Sequence, residues 1–147
     1  MLAALGVTAV LLGGCSKSTS NETKSDSKER VYTIGMSQCN LGEPWRVQMN
    51  EDIKNAAAKH PNLKVVFKDA QNDTLKQRAH VEEFVSSKVD LLIISPKEAQ
   101  PLTEPVAQAM ATGVPVIVLD RALHGDKFTC FIGANNKRIG WAAGKWI

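Results

Sequence analysis

From residue 31 onward the chain alternates short apolar runs with longer amphipathic stretches. "VYTIGMS" (31–37) and "LKVVFKD" (63–69) are rich in β-formers and read as strands. "DLLIIS" (90–95) and "VPVIVLD" (114–120) are nearly continuous apolar runs, as expected for parallel strands buried on both faces, and "FTCFIGA" (128–134) makes a fifth strand. Helices fill the gaps. Pro44 suits a first turn, the pattern runs to about Lys59, and Pro61 stops it; Val47, Ile53 and Ala57 fall on one face. Asn72 or Asp73 caps a second helix to about Lys88, with Val81, Phe84 and Val85 pointing inward. A third helix is predicted with Pro105 in its first turn and Gly113 just past its end. "NNKRIGWAAGKWI" opens a fourth, cut off at Ile147.

Strand and helix alternating in this way predict right-handed βαβ units: an α/β fold with a parallel, doubly wound sheet and helices on both faces. Ligands of such sheets bind outside the carboxyl ends of the strands. Those ends carry Ser37 to Arg46, Asp69 to Asp73, Ser95-Pro96-Lys97, Asp120-Arg121 and Asn135-Asn136.

Composition adds bounds. The 147 residues predict one domain, 44% hydrophobic content is ample for a core, and a net charge of +3 without a basic block gives no footprint for nucleic acid. "MLAALGVTAVLLGGC" (1–15) is apolar, too short to span a bilayer, and ends in small residues before a cysteine. Leu12-Gly13-Gly14-Cys15 resembles the lipobox of bacterial lipoproteins, which implies a signal peptide over 1–15 and lipidation of Cys15; a buried apolar segment with an incidental cysteine is the alternative. No Lys or Arg precedes the apolar run, so the true start is expected upstream of Met1. Residues 16–30, "SKSTSNETKSDSKER", hold nothing to bury and read as a solvated tether. Anchor, tether and folded domain together place the protein outside the cytoplasm, held at the membrane by acyl chains. Cys39 and Cys130 are left in an oxidising compartment; they could pair, but two isolated small hydrophobes fit better, because two strands should lie between them.

The rim residues form no recognisable catalytic set. His60, His80 and His124 fall on a helix end, a helix and a loop, and no nucleophile elbow, P-loop or dinucleotide fingerprint follows a strand. The carboxylates Asp69, Asp73 and Asp120 suggest a phosphotransfer site, but an extracytoplasmic protein has little access to phosphodonors. The expectation is a binding protein and no enzyme, with no cofactor and no metal. A polyol suits the rim. Arg46 and Arg121 can each donate two parallel hydrogen bonds to vicinal hydroxyls, Glu43 and Asp120 can accept, and Trp45 offers a flat face to a patch of C–H groups. Two plainer readings stand beside this one: Trp45 as a helix staple, and Asp120-Arg121 as a solvated ion pair.

"GMSQCNLGEPWR", "DLLIISPKEAQPL", "GVPVIVLDRAL" and "FIGANNKRIGWAAG" fall in an order and spacing that resembles the sugar-binding proteins of ABC importers, of the ribose- and galactofuranose-binding type. The resemblance covers residue 31 to the end, and the same ligand domain occurs in bacterial sugar-responsive repressors. It implies ligand residues at Ser37, Glu43, Trp45, Arg46, Ser95, Asp120 and Arg121, with Asn40 and Asn136 as weaker carry-overs. Lys97 stands where a neutral polar residue is common. The family has two lobes closing around the sugar, so residues 31–147 are expected to be an incomplete N-terminal lobe, a fragment of a longer reading frame. The implied function is capture of a monosaccharide or related polyol for an ABC permease. The alternatives are a sensing component serving a chemoreceptor or sensor kinase, and a truncated fragment without function. The lipobox and tether, standing where a repressor's DNA-binding helices would be, argue against a repressor.

Overall fold

The computed structural model describes residues 29–147. The predicted signal peptide, Cys15 and all but the end of the tether therefore lie outside the described residues. Five strands, β1 (Tyr32–Gln38), β2 (Leu63–Asp69), β3 (Leu91–Ser95), β4 (Val116–Leu119) and β5 (Cys130–Ile132), and four helices, α1 (Pro44–Ala57), α2 (Thr74–Ser86), α3 (Ala99–Ala111) and α4 (Asn136–Gly144), alternate along the described residues except that β5 follows β4 with no helix between. All neighbouring strands pair in parallel in the order β2-β1-β3-β4-β5, so the expected α/β class and parallel sheet are what the chain forms. The chain steps from β1 outward to β2 and returns to β3 on β1's other side. The switch point is therefore the crevice between the carboxyl ends of β1 and β3.

Right-handed crossovers put α1 on one face and α2 with α3 on the other. The core lies on the second face, where Leu92, Ile94, Val116 and Val118 of the sheet meet Val81 and Phe84 of α2 and Leu102 and Val106 of α3. Gly35 lets α2 come this close: a Cβ there would stand 2.6 Å from the Phe84 ring. Asp73 caps α2, its carboxylate accepting from the backbone N–H of Leu75 (2.8 Å) and Lys76 (3.1 Å). Asn72 instead takes a left-handed conformation, φ 62°.

Three local expectations are corrected. Val47 does not face inward; it is exposed, and the buried stripe of α1 begins one residue earlier, at Arg46. Pro105 lies inside α3, which starts a turn sooner than predicted. Pro101 occupies that first turn, where a missing N–H is harmless, while Pro105 is buried and leaves the Pro101 carbonyl without its helical donor. The fourth and fifth strands are shorter than their apolar runs, and α4 ends at Gly144. Pro115 cannot donate to a ladder, and a left-handed Asp120 (φ 65°) turns the chain out of β4. Cys39 is buried, Cys130 is exposed, and both thiols are free, with β3 and β4 between their strands.

Candidate functional site: the carboxyl rim of the sheet

The switch-point crevice is filled by an arginine. Arg46, in the first turn of α1, is 1% exposed, and its guanidinium spans the two strands that define the crevice. Nη1 donates to Gln38 Oε1 of β1 (3.1 Å) and to Ser95 Oγ of β3 (3.0 Å), while Nε donates to Glu43 Oε2 (2.8 Å). Nη2 lies 3.6 Å from Asp120 Oδ2, at the end of β4. The Trp45 ring covers the guanidinium, 4.0 Å from its central carbon to the ring centroid, and leaves its other side half-exposed. A charge removed from water persists only when it is paired and hydrogen-bonded, and here Nε and Nη1 are bonded while Nη2 faces the Asp120 carboxylate.

Asp120 and Arg121 are not paired with each other. Asp120 leans on Arg46, whereas Arg121 Nη1 donates to the Lys97 carbonyl (2.6 Å). The Asp120 N–H donates to Ile132 O (2.8 Å), tying the rim of β4 to β5. Gly133 follows closely there; a Cβ on it would sit 2.9 Å from the Asp120 carbonyl.

Of the nine sequence-predicted ligand residues, Ser37, Arg46 and Ser95 lie beneath the surface, and Asn40, Glu43, Trp45, Asp120, Arg121 and Asn136 reach it. Asn40 accepts the Gly42 N–H (2.9 Å) and holds the loop before α1. A cleft of about 540 Å³ between Asn40, Glu43, Asp69 and Asn72 opens on one side, and one of about 380 Å³ between Asp120, Gly133 and Asn136 on the other. Asn136 is the first residue of α4, whose cap Asn135 accepts from the Arg138 N–H (3.1 Å).

Three residues outside the predicted ligand set complete the floor: Gln38, Gln77 and His80, all buried. Gln77 and His80 share the inward stripe of α2 with Val81 and Phe84. A polar side chain inside an apolar stripe was the available signal. Ser37 Oγ is 3.2 Å from His80 Nδ1. Burial, reinforced by Lys68 and Lys76, holds the His80 pKa below that of an ordinary histidine, against the opposing pull of Glu83 and Asp69. Burial likewise pushes the Cys39 thiol up, with Arg46 and Arg121 opposing. No buried side-chain nitrogen or oxygen among the described residues lacks a hydrogen-bond partner. Nor does any group of three His, Cys, Asp or Glu side chains among them stand ready to hold a metal.

An open parallel sheet with a polar rim sealed at its switch point defines a ligand-binding α/β domain. The chain belongs to the periplasmic binding protein domain family, which matches residues 34–147. It is 32% identical to the ribose import binding protein of Bacillus subtilis (strain 168), over 97% of this chain and 47% of that protein. The fructose-binding periplasmic domain of a hybrid two-component system superposes with a TM-score of 0.75 at 40% identity, over 78% of this chain and 38% of that one. A solute-binding protein of an ABC transporter from Bacillus halodurans, solved with bound myo-inositol, gives 0.69 at 29% identity, over 78% and 43%. The chain thus spans about half the length of the curated ribose-binding relative.

Proposed function

We propose that the chain forms one wall of an extracytoplasmic binding protein that captures a monosaccharide or related polyol for an ABC importer. The observation that carries this is the half-exposed Trp45 ring, braced from below by Arg46, whose guanidinium also meets Asp120. A sugar's C–H face stacks on the ring. Arg121, with only one nitrogen engaged by Lys97, donates to vicinal hydroxyls, and Asp120, Glu43, Asn40 and Asn136 complete the polar contacts. Arg46, Ser37 and Ser95 act from beneath, fixing the ring and the strand ends. The matched ribose-binding and inositol-bound proteins support this ligand class, and their being binding proteins supports a role without turnover. In this reading the ABC permease is the protein partner, nucleic acid is none, and no cofactor takes part.

In the full-length protein, Arg121→Ala should weaken sugar binding by roughly 1.5–3 kcal/mol, the scale of hydrogen bonds to a charged group. Asp120→Ala should do the same. Titration calorimetry with ribose, xylose, fructose and myo-inositol tests this; unchanged affinity in both variants would move the site off the rim.

The lipid anchor belongs to the same proposal and rests on the Leu-Gly-Gly-Cys run. Labelled fatty acid should enter the protein when a complete signal peptide is present, and Cys15→Ala should stop it. A second reading is sensing, favoured by the 40% identity to a domain of a hybrid two-component system. Deletion of the gene separates the two: loss of sugar uptake supports transport, loss of a sugar-dependent transcriptional response supports sensing.

A further inference from the structure

Gln77 is fully buried on α2, on the opposite side of the sheet from α1 and Arg46, yet its amide reaches the rim. Nε2 donates to the Ser95 carbonyl (2.9 Å) and, more weakly, to the Ser37 carbonyl (3.4 Å), at the ends of β3 and β1. Oε1 accepts the N–H of Lys97 (2.8 Å). The side chain thus treats the Ser95-Pro96-Lys97 turn as a neighbouring strand would, donating to one carbonyl and accepting from the N–H two residues on. Only this orientation of the amide satisfies all three groups. Pro96 brings no N–H of its own, so the turn depends on outside partners. Lys97 then passes the constraint on, since its carbonyl receives Arg121 Nη1 at 2.6 Å.

We propose that Gln77 is the positioning residue of the sugar-binding rim: it touches no ligand and clamps the Ser95–Lys97 turn, so that the Lys97 carbonyl holds the Arg121 guanidinium in place. This rests on reading the rim as a sugar site. Asn is too short to bridge both groups, Glu keeps the acceptor for Lys97 but loses the neutral donor to Ser95, and Met fills the space with neither. A structural glutamine would lower stability alone. A positioning one lowers affinity through Arg121, and the two effects separate in a double-mutant cycle.

In the full-length protein, Gln77→Met should weaken binding at least about tenfold, for whichever of ribose, xylose, fructose and myo-inositol the wild type binds. In an Arg121→Ala background the same change should cost less than about twofold, because the group being positioned is gone. Val81→Ala, one turn along the same helix and equally buried, should lower Tm and leave affinity within about twofold. An equal loss in both backgrounds, or no loss in the wild-type background, overturns the proposal. Amide hydrogen exchange at Lys97, measured by NMR without sugar, tests the clamp separately: slow in wild type and at least about tenfold faster in Gln77→Met. A fast Lys97 amide in wild type, or a slow one in Gln77→Met, overturns the clamp whether or not any sugar binds. A wild type that binds none of the four sugars while exchange behaves as expected removes the sugar reading and leaves the clamp standing.

Discussion

At Arg46 a full charge is taken out of water beside a ring that stays half in it, and the two neighbours have opposite fates for one reason. The first turn of α1 aims residue 46 into the crevice between β1 and β3, where Gln38, Ser95, Glu43 and Asp120 supply acceptors, while residue 45 falls over its top. The Trp-Arg pair could be placed on the rim from the sequence, because strand ends and helix starts are legible there. Which of the two faces solvent could not, since that depends on acceptors arriving from residues far along the chain. Removing a partner from a wholly buried ion pair costs roughly 3–5 kcal/mol, because a bare charge remains. Here the carboxylates left behind, Glu43 and Asp120, are 49% and 34% exposed, so water can take over. Arg46→Ala should therefore destabilise by about 1.5–3 kcal/mol, the hydrogen-bond scale, in urea denaturation. Trp45→Ala should cost only about 0.5–1 kcal/mol of stability, the value of an exposed cation–π contact, while removing the share of any ligand-induced fluorescence change that Trp45 contributes. Losses of equal size would mean that the ring is a structural lid and no platform.

The helices show how far periodicity carries an assignment. Spacing gives a face only for α1 and α2, and on α1 it favours Val47 over Arg46 because only Val47 is apolar; the acceptors in the crevice, absent from any hydropathy pattern, reverse that order. On α2 the apolar members Val81 and Phe84 were legible, and the polar members Gln77 and His80 of the same stripe were not. His80 has a measurable consequence. Its folded-state pKa lies below the ordinary value, first through burial and then through Lys68 and Lys76, so the neutral ring is the form that the fold keeps. Below about pH 6.5 the unfolded chain takes up a proton that the folded chain resists, so stability rises with pH in that range. The contribution is complete above about pH 6.5 and is lost as pH falls through the depressed folded value. Glu83, held low chiefly by the hydrogen bond from Lys68, and Asp90, held low chiefly by the Thr33 N–H, act further down, below the usual carboxylate values near 4. Unfolding free energy should therefore already fall between about pH 7 and pH 5, and His80→Asn should flatten that part of the profile. An identical slope in the variant would assign the loss to another group.

For the molecule as a whole, strand–helix alternation was enough to give the class and the parallel sheet, because a buried crossover has only one favoured hand. It could not show how unevenly the two faces of the sheet are covered. The α2–α3 face carries a closed core, whereas on β5 and α4 Phe131, Ile132, Ile139 and Trp141 are exposed. Large apolar side chains left exposed in this number favour association when nothing covers them. The rim is equally one-sided. Its clefts are open, and in the proposed site Trp45, Asp120 and Arg121 meet a sugar from one direction only. Small-ligand sites owe their affinity to burying most of the ligand, with polar groups converging around it. On this single wall the hydroxyls on a sugar's far side keep their water, and exchanging water for water gains nothing. Residues 31–147 expressed alone should therefore bind ribose, xylose, fructose or myo-inositol no tighter than about millimolar, near −4 kcal/mol, when titrated by calorimetry. A full-length protein binding the same sugar at micromolar strength would then assign the difference of about 4 kcal/mol to closure by groups outside this lobe. A micromolar constant for the lobe itself would instead mean that Trp45 and Arg121 suffice, and that the open rim is the whole of the site.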